Sequence, residues 1–167
     1  MNKNKLTSCG ELSFIYELKS LSMAENEITS FEGMSALDKL EKLNVGTNKL
    51  ESIATLPDLP CLTELVLDGN PIASLKELDH LCKLTCLTSL SMTGCPVAEG
   101  DDFKKEVLIA LMDHLPNLVK INGEPYTPED MAEAKEKKEE RIRAALNLPP
   151  PEEVAAEGEE AEAVEDE

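Results

Sequence analysis

The run Leu62-Thr63-Glu64-Leu65-Val66-Leu67-Asp68-Gly69-Asn70-Pro71-Ile72 is one copy of a phrase that the chain repeats four times. The others are Leu18-x-x-Leu21-x-Met23-x-x-Asn26-x-Ile28, Leu40-x-x-Leu43-x-Val45-x-x-Asn48-x-Leu50 and Leu87-x-x-Leu90-x-Met92-x-x-Cys95-x-Val97. Measured between the Asn or Cys positions, the steps are 22, 22 and 25 residues. A fixed short period of this kind predicts a solenoid, in which each unit buries its apolar face only by stacking on its neighbours.

The two apolar residues at the centre of the phrase alternate with period two, so both point inward from a short strand while their neighbours face the open side. The Asn that follows sits where the chain leaves the strand, and its amide can bond the turn's backbone and stack into a ladder. The return segments Ile28-x-x-Phe31-x-x-Met34-x-x-Leu37 and Leu50-x-x-Ile53-x-x-Leu56-x-x-Leu59 place apolar residues every third position, which suits 3₁₀ or short helical turns. The longest, Ile72-x-x-Leu75-x-x-Leu78-x-x-Leu81-x-x-Leu84, has room for a fuller helix and absorbs the three extra residues. The expected architecture is an α/β solenoid with a parallel concave sheet, a convex side of 3₁₀ or helical turns and a C-terminal cap.

Three segments are expected: a repeat domain over 1–125, a charged helix over 127–147, and a Pro-rich break with an acidic, disordered tail over 148–167. At the start, Asn4-x-Leu6 already matches the end of the phrase, and the strand that should precede it is missing. Either the chain is a shortened form of a longer protein, or a partner covers its open end. At the other end, Phe103, Val107, Leu108 and Leu111 recur at helical spacing before Leu115-Pro116-Asn117-Leu118-Val119-Lys120-Ile121-Asn122-Gly123, an extra strand running into an Asn-Gly turn. Thr127-Pro128-Glu129-Asp130 then reads as a helix start. The helix it opens has a broken apolar stripe, so it either stands free in solvent or lies along a partner.

The formal net charge is −18, and the last 16 residues carry nine acids and no base. Arg141 is the first arginine, and no basic cluster with interleaved aromatics occurs, so direct nucleic-acid binding would be self-repelling. The tail either engages a basic partner or only keeps the protein soluble. No apolar run approaches membrane-span length and no signal segment opens the chain, so no membrane association is expected and an intracellular setting is. Five scattered cysteines, at 9, 61, 82, 86 and 95, fit reduced thiols. Cys82 and Cys86 beside His80 read as packing rather than metal ligation, and His114 as a boundary residue. With no nucleophile motif, phosphate loop or metal quartet, the reading is a non-enzyme that needs no cofactor and takes no small-molecule substrate.

Function is therefore expected on the concave sheet, facing a partner protein. Its expected lining is Ser20, Ser22 and Ala24 from the first repeat, Lys42, Asn44 and Gly46 from the second, Glu64, Val66 and Asp68 from the third, and Ser89, Ser91 and Thr93 from the fourth. Most are small and none is aromatic, so affinity would rest on shape and edge contacts. On the post-cap helix, Met131, Lys135, Lys138 and Ile142 are the candidate partner-binding residues.

The phrase is the leucine-rich repeat pattern. With the longer last repeat and the closing cap, residues 4 to about 125 resemble the short-repeat leucine-rich proteins typified by the regulatory subunit of protein phosphatase 1. Leu59-Pro60-Cys61-Leu62, Asn70-Pro71 and the charged helix after the cap are similar to the ciliary branch, which includes the leucine-rich dynein light chain and the leucine-rich radial spoke protein. Asn44-Val45-Gly46, Ser52-Ile53-Ala54-x-Leu56-Pro57 and the acidic C-terminus resemble the acidic leucine-rich nuclear phosphoproteins. The spliceosomal A-prime protein also continues from its cap into a charged helix. The first resemblance implies a scaffold in the ciliary or flagellar axoneme with axonemal protein partners. The second implies a nuclear regulator that binds histones or a phosphatase.

Overall fold

The protein, analysed as a computed structural model, is described for residues 3–10, 15–34, 37–100 and 102–146. The proline break and acidic tail lie outside the described residues. Four three-residue strands recur where the phrase places them: β1 Ser20–Ser22, β2 Lys42–Asn44, β3 Glu64–Val66 and β4 Ser89–Ser91. They pair in parallel, with Leu21, Leu43, Leu65 and Leu90 in one register line. β5 (Lys120–Ile121) continues the parallel order, and β6 (Glu124–Pro125) then turns back antiparallel, completing a six-stranded sheet. The expected parallel sheet thus ends in a hairpin. Its two turn residues, Asn122 and Gly123, have φ of 54° and 82°, the left-handed pair that a tight hairpin requires.

Each strand turns its central Leu into a continuous apolar interior; Leu43, Leu65 and Leu90 are buried, as are Val45, Leu67 and Met92 two residues on. The Asn positions below them form the ladder. The Asn48 Oδ1 accepts the Ile28 N–H at 3.0 Å, while its Nδ2 lies 2.8 Å from the Val45 carbonyl and 3.1 Å from Met23 O in the repeat before. Asn70 makes the same set one repeat later, to Leu50 N, Leu67 O and Val45 O. One buried amide therefore satisfies turn groups of two successive coils, which would otherwise cost about 1–3 kcal/mol each if left unpaired. Cys95 replaces the amide with a thiol that donates to Leu67 O at 3.3 Å.

The residue before each ladder position is left-handed: Lys3, Glu25, Thr47, Gly69 and Gly94 have φ between 54° and 74°. This conformation aims the N–H at the next coil, as in Glu25 N to Gly46 O at 2.9 Å and Thr47 N to Asp68 O at 2.6 Å. Glycine adopts it without strain, whereas Thr47 is β-branched and disfavoured there.

On the convex side, isolated turns carry the chain back, closed by bonds such as Leu40 N to Leu37 O and Leu62 N to Leu59 O. The long return segment forms a seven-residue 3₁₀ helix, Leu75–Leu81, with Leu78 and Leu81 buried. Its Glu77 reaches back to accept from Ser52 Oγ and Ile53 N, both at 2.7 Å. Burial opposes ionisation of Glu77, but these two hydrogen bonds outweigh it and leave its pKa lowered.

Helix α1 (Phe103–Leu111) closes the interior with Phe103, Val107, Leu108 and Leu111 all buried. Helix α2 (Pro128–Leu146) starts where the sequence places it. Thr127 Oγ1 accepts from Asp130 N at 3.2 Å, and Asp130 Oδ2 accepts from Thr127 N at 2.7 Å, a reciprocal cap. It does not stand free. It lies along α1, burying Ala134 and packing Met131 against the core.

Candidate functional site

Because the strands pair in register, residues at equivalent positions form rows across the concave face. One row is Ser20, Lys42, Glu64, Ser89 and Lys120; the next is Ser22, Asn44, Val66 and Ser91. These side chains are exposed or half-buried, unlike the Leu residues between them. Lys42 Nζ lies 2.8 Å from the Glu64 carboxylate, whose hydrogen bond and charge raise the lysine pKa. Toward the cap, a shallow groove of about 480 Å³ is lined by Lys42, Glu64, Ser89 and Lys120, with Val119 half exposed at its edge. A smaller groove of about 200 Å³ lies over β1 to β3, lined in part by Ser22, Asn44 and Val66.

The third expected row, Ala24, Gly46, Asp68 and Thr93, lies beyond the strand ends and is mixed, with Thr93 exposed and Ala24 and Asp68 half-buried. Gly46 is buried, contrary to the expectation that it lines the face: a Cβ there would come within 3.3 Å of Asn44 Oδ1 and 3.4 Å of Asp68 O. The Asp68 carboxylate is committed inside the protein, accepting from Ser91 Oγ at 2.6 Å and Thr93 N at 2.8 Å. The two rows carried on the strands are exposed or half-buried throughout, and the first of them runs further toward the cap than the four phrases indicate. Lys120 and Val119 were missed because the cap strand lacks the full phrase. The signal was present, since Leu118-x-x-Ile121 aligns with Leu87-x-x-Leu90.

The four candidate residues of α2 divide into two pairs. Met131 is half-buried on the repeat domain, and the Lys138 ammonium pairs with Asp113, so both are turned onto the protein itself. Lys135 and Ile142 are exposed, Ile142 at 48 %. What holds α2 is charge: Lys104 to Asp130 at 2.9 Å, Lys105 to Glu133 at 2.6 Å, Lys137 to Asp102 at 3.6 Å, and both Arg141 guanidinium nitrogens on Glu106 at 2.6 and 2.9 Å. Arg141 holds the Glu106 carboxyl below its ordinary value, and Lys138 does the same for Asp113.

Among the described residues no group of three or more His, Cys, Asp or Glu side chains is placed to hold a metal, and no helix is long and apolar enough to cross a membrane. His80 is half-buried and His114 is exposed. Among the described residues the arrangement offers a shaped polar surface.

Comparisons with known proteins agree with this architecture. A family model described as leucine-rich repeat matches residues 3–140, which takes in most of α2 as well as the repeats. No curated protein sequence matches the chain. Among solved structures, the Drosophila melanogaster SNF/U2A' complex contains a chain similar in fold, with a TM-score of 0.67 at 15 % identity, over 82 % of this chain and 86 % of that one. Internalin C2 of Listeria monocytogenes matches with a TM-score of 0.46 at 21 % identity, over 62 % of this chain and 50 % of its own. The Chaetomium Mex67:Mtr2 structure matches with a TM-score of 0.44 at 23 % identity, over 57 % and 62 %. With its register, its asparagine ladder and the family-model match over residues 3–140, the chain belongs to the leucine-rich repeat family.

Proposed function

We propose that the protein is a non-catalytic scaffold that seats an extended segment of a partner protein along its concave face. The observation that carries this reading is the row Ser20, Lys42, Glu64, Ser89 and Lys120, one continuous polar line across five strands, bordered by apolar Val66 and Val119. Small and charged side chains on a preordered sheet let a partner approach closely without ordering the scaffold first, which lowers the entropic cost of binding. The similar fold solved within the SNF/U2A' complex supports a protein partner.

For the setting we favour the axoneme, on the resemblance of Leu59-Pro60-Cys61-Leu62, Asn70-Pro71 and the post-cap helix to ciliary leucine-rich proteins. In this reading the exposed face of α2, with Lys135 and Ile142, offers a second contact, fixed in orientation because the helix is fastened to α1. Proximity labelling of the tagged full chain in ciliated cells, with Ser89→Arg alongside, tests both parts. The expected result is axonemal neighbours that the variant loses while circular dichroism shows an unchanged fold. Neighbours unaffected by Ser89→Arg would remove the concave face from the account. Nuclear histones or a phosphatase would overturn the axonemal setting in favour of the acidic nuclear regulator.

A further inference from the structure

The five cysteines occupy unequal positions. Cys9 and Cys95 are buried, each thiol donating to a carbonyl, and burial pushes the Cys9 pKa up to about 11. Cys82 is partly buried at the end of the 3₁₀ helix, where burial first and Asp79 second raise its pKa. Cys61 and Cys86 are both exposed, and they stand at the same point of adjacent coils.

Register establishes this. Glu64 of β3 pairs with Ser89 of β4, and each cysteine lies three residues upstream of its strand. The residues between correspond one to one. Leu62 N bonds Leu59 O and Leu87 N bonds Leu84 O, so the two turns have the same shape, and Thr88 N meets Thr63 O at 2.9 Å, so they are stacked. Side chains at this position touch from coil to coil elsewhere in the protein. Glu17 and Lys39, the equivalents in the two preceding repeats, form an ion pair at 2.7 Å. Asn117, the equivalent after Cys86, donates to Thr85 O at 3.1 Å. Hydrogen-bonded strands lie about 4.8 Å apart, these coils are bonded to each other two residues beyond the cysteines, and a disulfide accepts about 4.4 to 6.8 Å between α-carbons.

From this placement we infer that Cys61 and Cys86 form a thiol pair that a small-molecule disulfide such as oxidised glutathione converts into a disulfide linking the third and fourth repeats. One cysteine thiolate attacks the glutathione disulfide, giving a protein–glutathione mixed disulfide and one glutathione thiol. The second cysteine then attacks the protein sulfur and releases the second glutathione, so two protein thiols are oxidised and one glutathione disulfide is reduced. The exposed turns supply the small adjustment that brings parallel side chains to bonding distance. The bridge would sit two residues from Thr63 and Thr88, which line the larger concave groove. This goes beyond the scaffold reading and does not depend on which partner binds.

The test is intact-protein mass spectrometry of the native full chain treated with oxidised glutathione, followed by peptide mapping. The expected product has lost two hydrogens, carries no glutathione, contains a Cys61–Cys86 cross-link and reverts with a reductant. Cys82→Ser should leave this unchanged, whereas Cys61→Ser and Cys86→Ser should each retain one glutathione on the remaining member of the pair. A chain carrying glutathione on both Cys61 and Cys86, a bridge through Cys82, or no reaction would overturn the inference.

Discussion

In the repeat body, the inward residues Leu43, Val45, Leu65 and Leu67 are at most 1 % exposed, whereas α2 fully buries a single side chain, Ala134, and is fastened to α1 and the turn after it by ion pairs. The repeats are also laced by charge, since Glu17–Lys39, Lys19–Glu41, Glu27–Lys49 and Lys42–Glu64 each join equivalent positions of neighbouring coils. There the ion pairs decorate a structure already fixed by apolar burial and the buried asparagines. On the flank they are most of the attachment. Exposed pairs are individually weak and screened by salt, so the two regions should respond differently to the same perturbation.

The largest effect is expected inside the repeat body. Asn48→Ala leaves Ile28 N without its side-chain acceptor, takes one of two amide donors from each of Met23 O and Val45 O, and should lower stability by about 3 kcal/mol in urea unfolding. Cys95→Ala, losing one sulfur hydrogen bond and little volume, should cost about 1 kcal/mol. Equal losses at the two positions would show that the ladder is not what distinguishes them.

A change of pH should separate flank from body. The carboxyls of Glu106, Asp113 and Asp130 are all lowered: Glu106 chiefly by Arg141 and Asp113 by Lys138, both through docking, and Asp130 first by the Thr127 N–H of its own helix cap and only then, through docking, by Lys104. Groups lowered on docking stabilise the docked state fully above the ordinary carboxylate range of about 4, and that contribution disappears as pH falls through the lowered values. Amide resonances of α2 should therefore shift toward those of an undocked helix on acidification before the strand resonances change, and earlier in Glu106→Gln. Simultaneous loss of both regions would mean that the ion pairs do not carry the docking.

The smallest effect refines the repeat body. Thr47 holds a left-handed backbone that Gly69 and Gly94 occupy one and two coils later. Thr47→Gly should raise stability by about 0.5 kcal/mol, the relief of backbone strain exceeding glycine's extra unfolded-state entropy. A loss instead would show that the Thr47 side chain contributes more to coil packing than its backbone costs.

The contrast between regions also explains what was legible in the sequence. Strands β1 to β4, the asparagine ladder, α1 and the start of α2 all follow from periodic apolar positions or cap residues, which announce themselves one residue at a time. The docking of α2 does not, because Met131 and Ala134 are too few to make a stripe and the partners of Lys138 and Arg141 lie 25 and 35 residues away. The concave face was half legible. Strand alternation gives the first two rows, but the strands end after three residues, and that leaves Gly46 and Asp68 to local packing. The ion pairs between coils were open to reading, since each joins residues 22 apart.

The ladder has a further consequence for how the chain is made. Its hydrogen bonds join residues separated by 20 or 25 positions, as in Ile28 to Asn48 and Asn70 to Val45, so each coil needs only its immediate neighbour in sequence to complete its own turn. During synthesis, a coil can lock down once one more repeat has left the ribosome, and order can then advance behind the growing end in steps of a single repeat. Helix α1 and the cap hairpin follow the fourth repeat, and until they emerge, the advancing edge is a row of unsealed leucines.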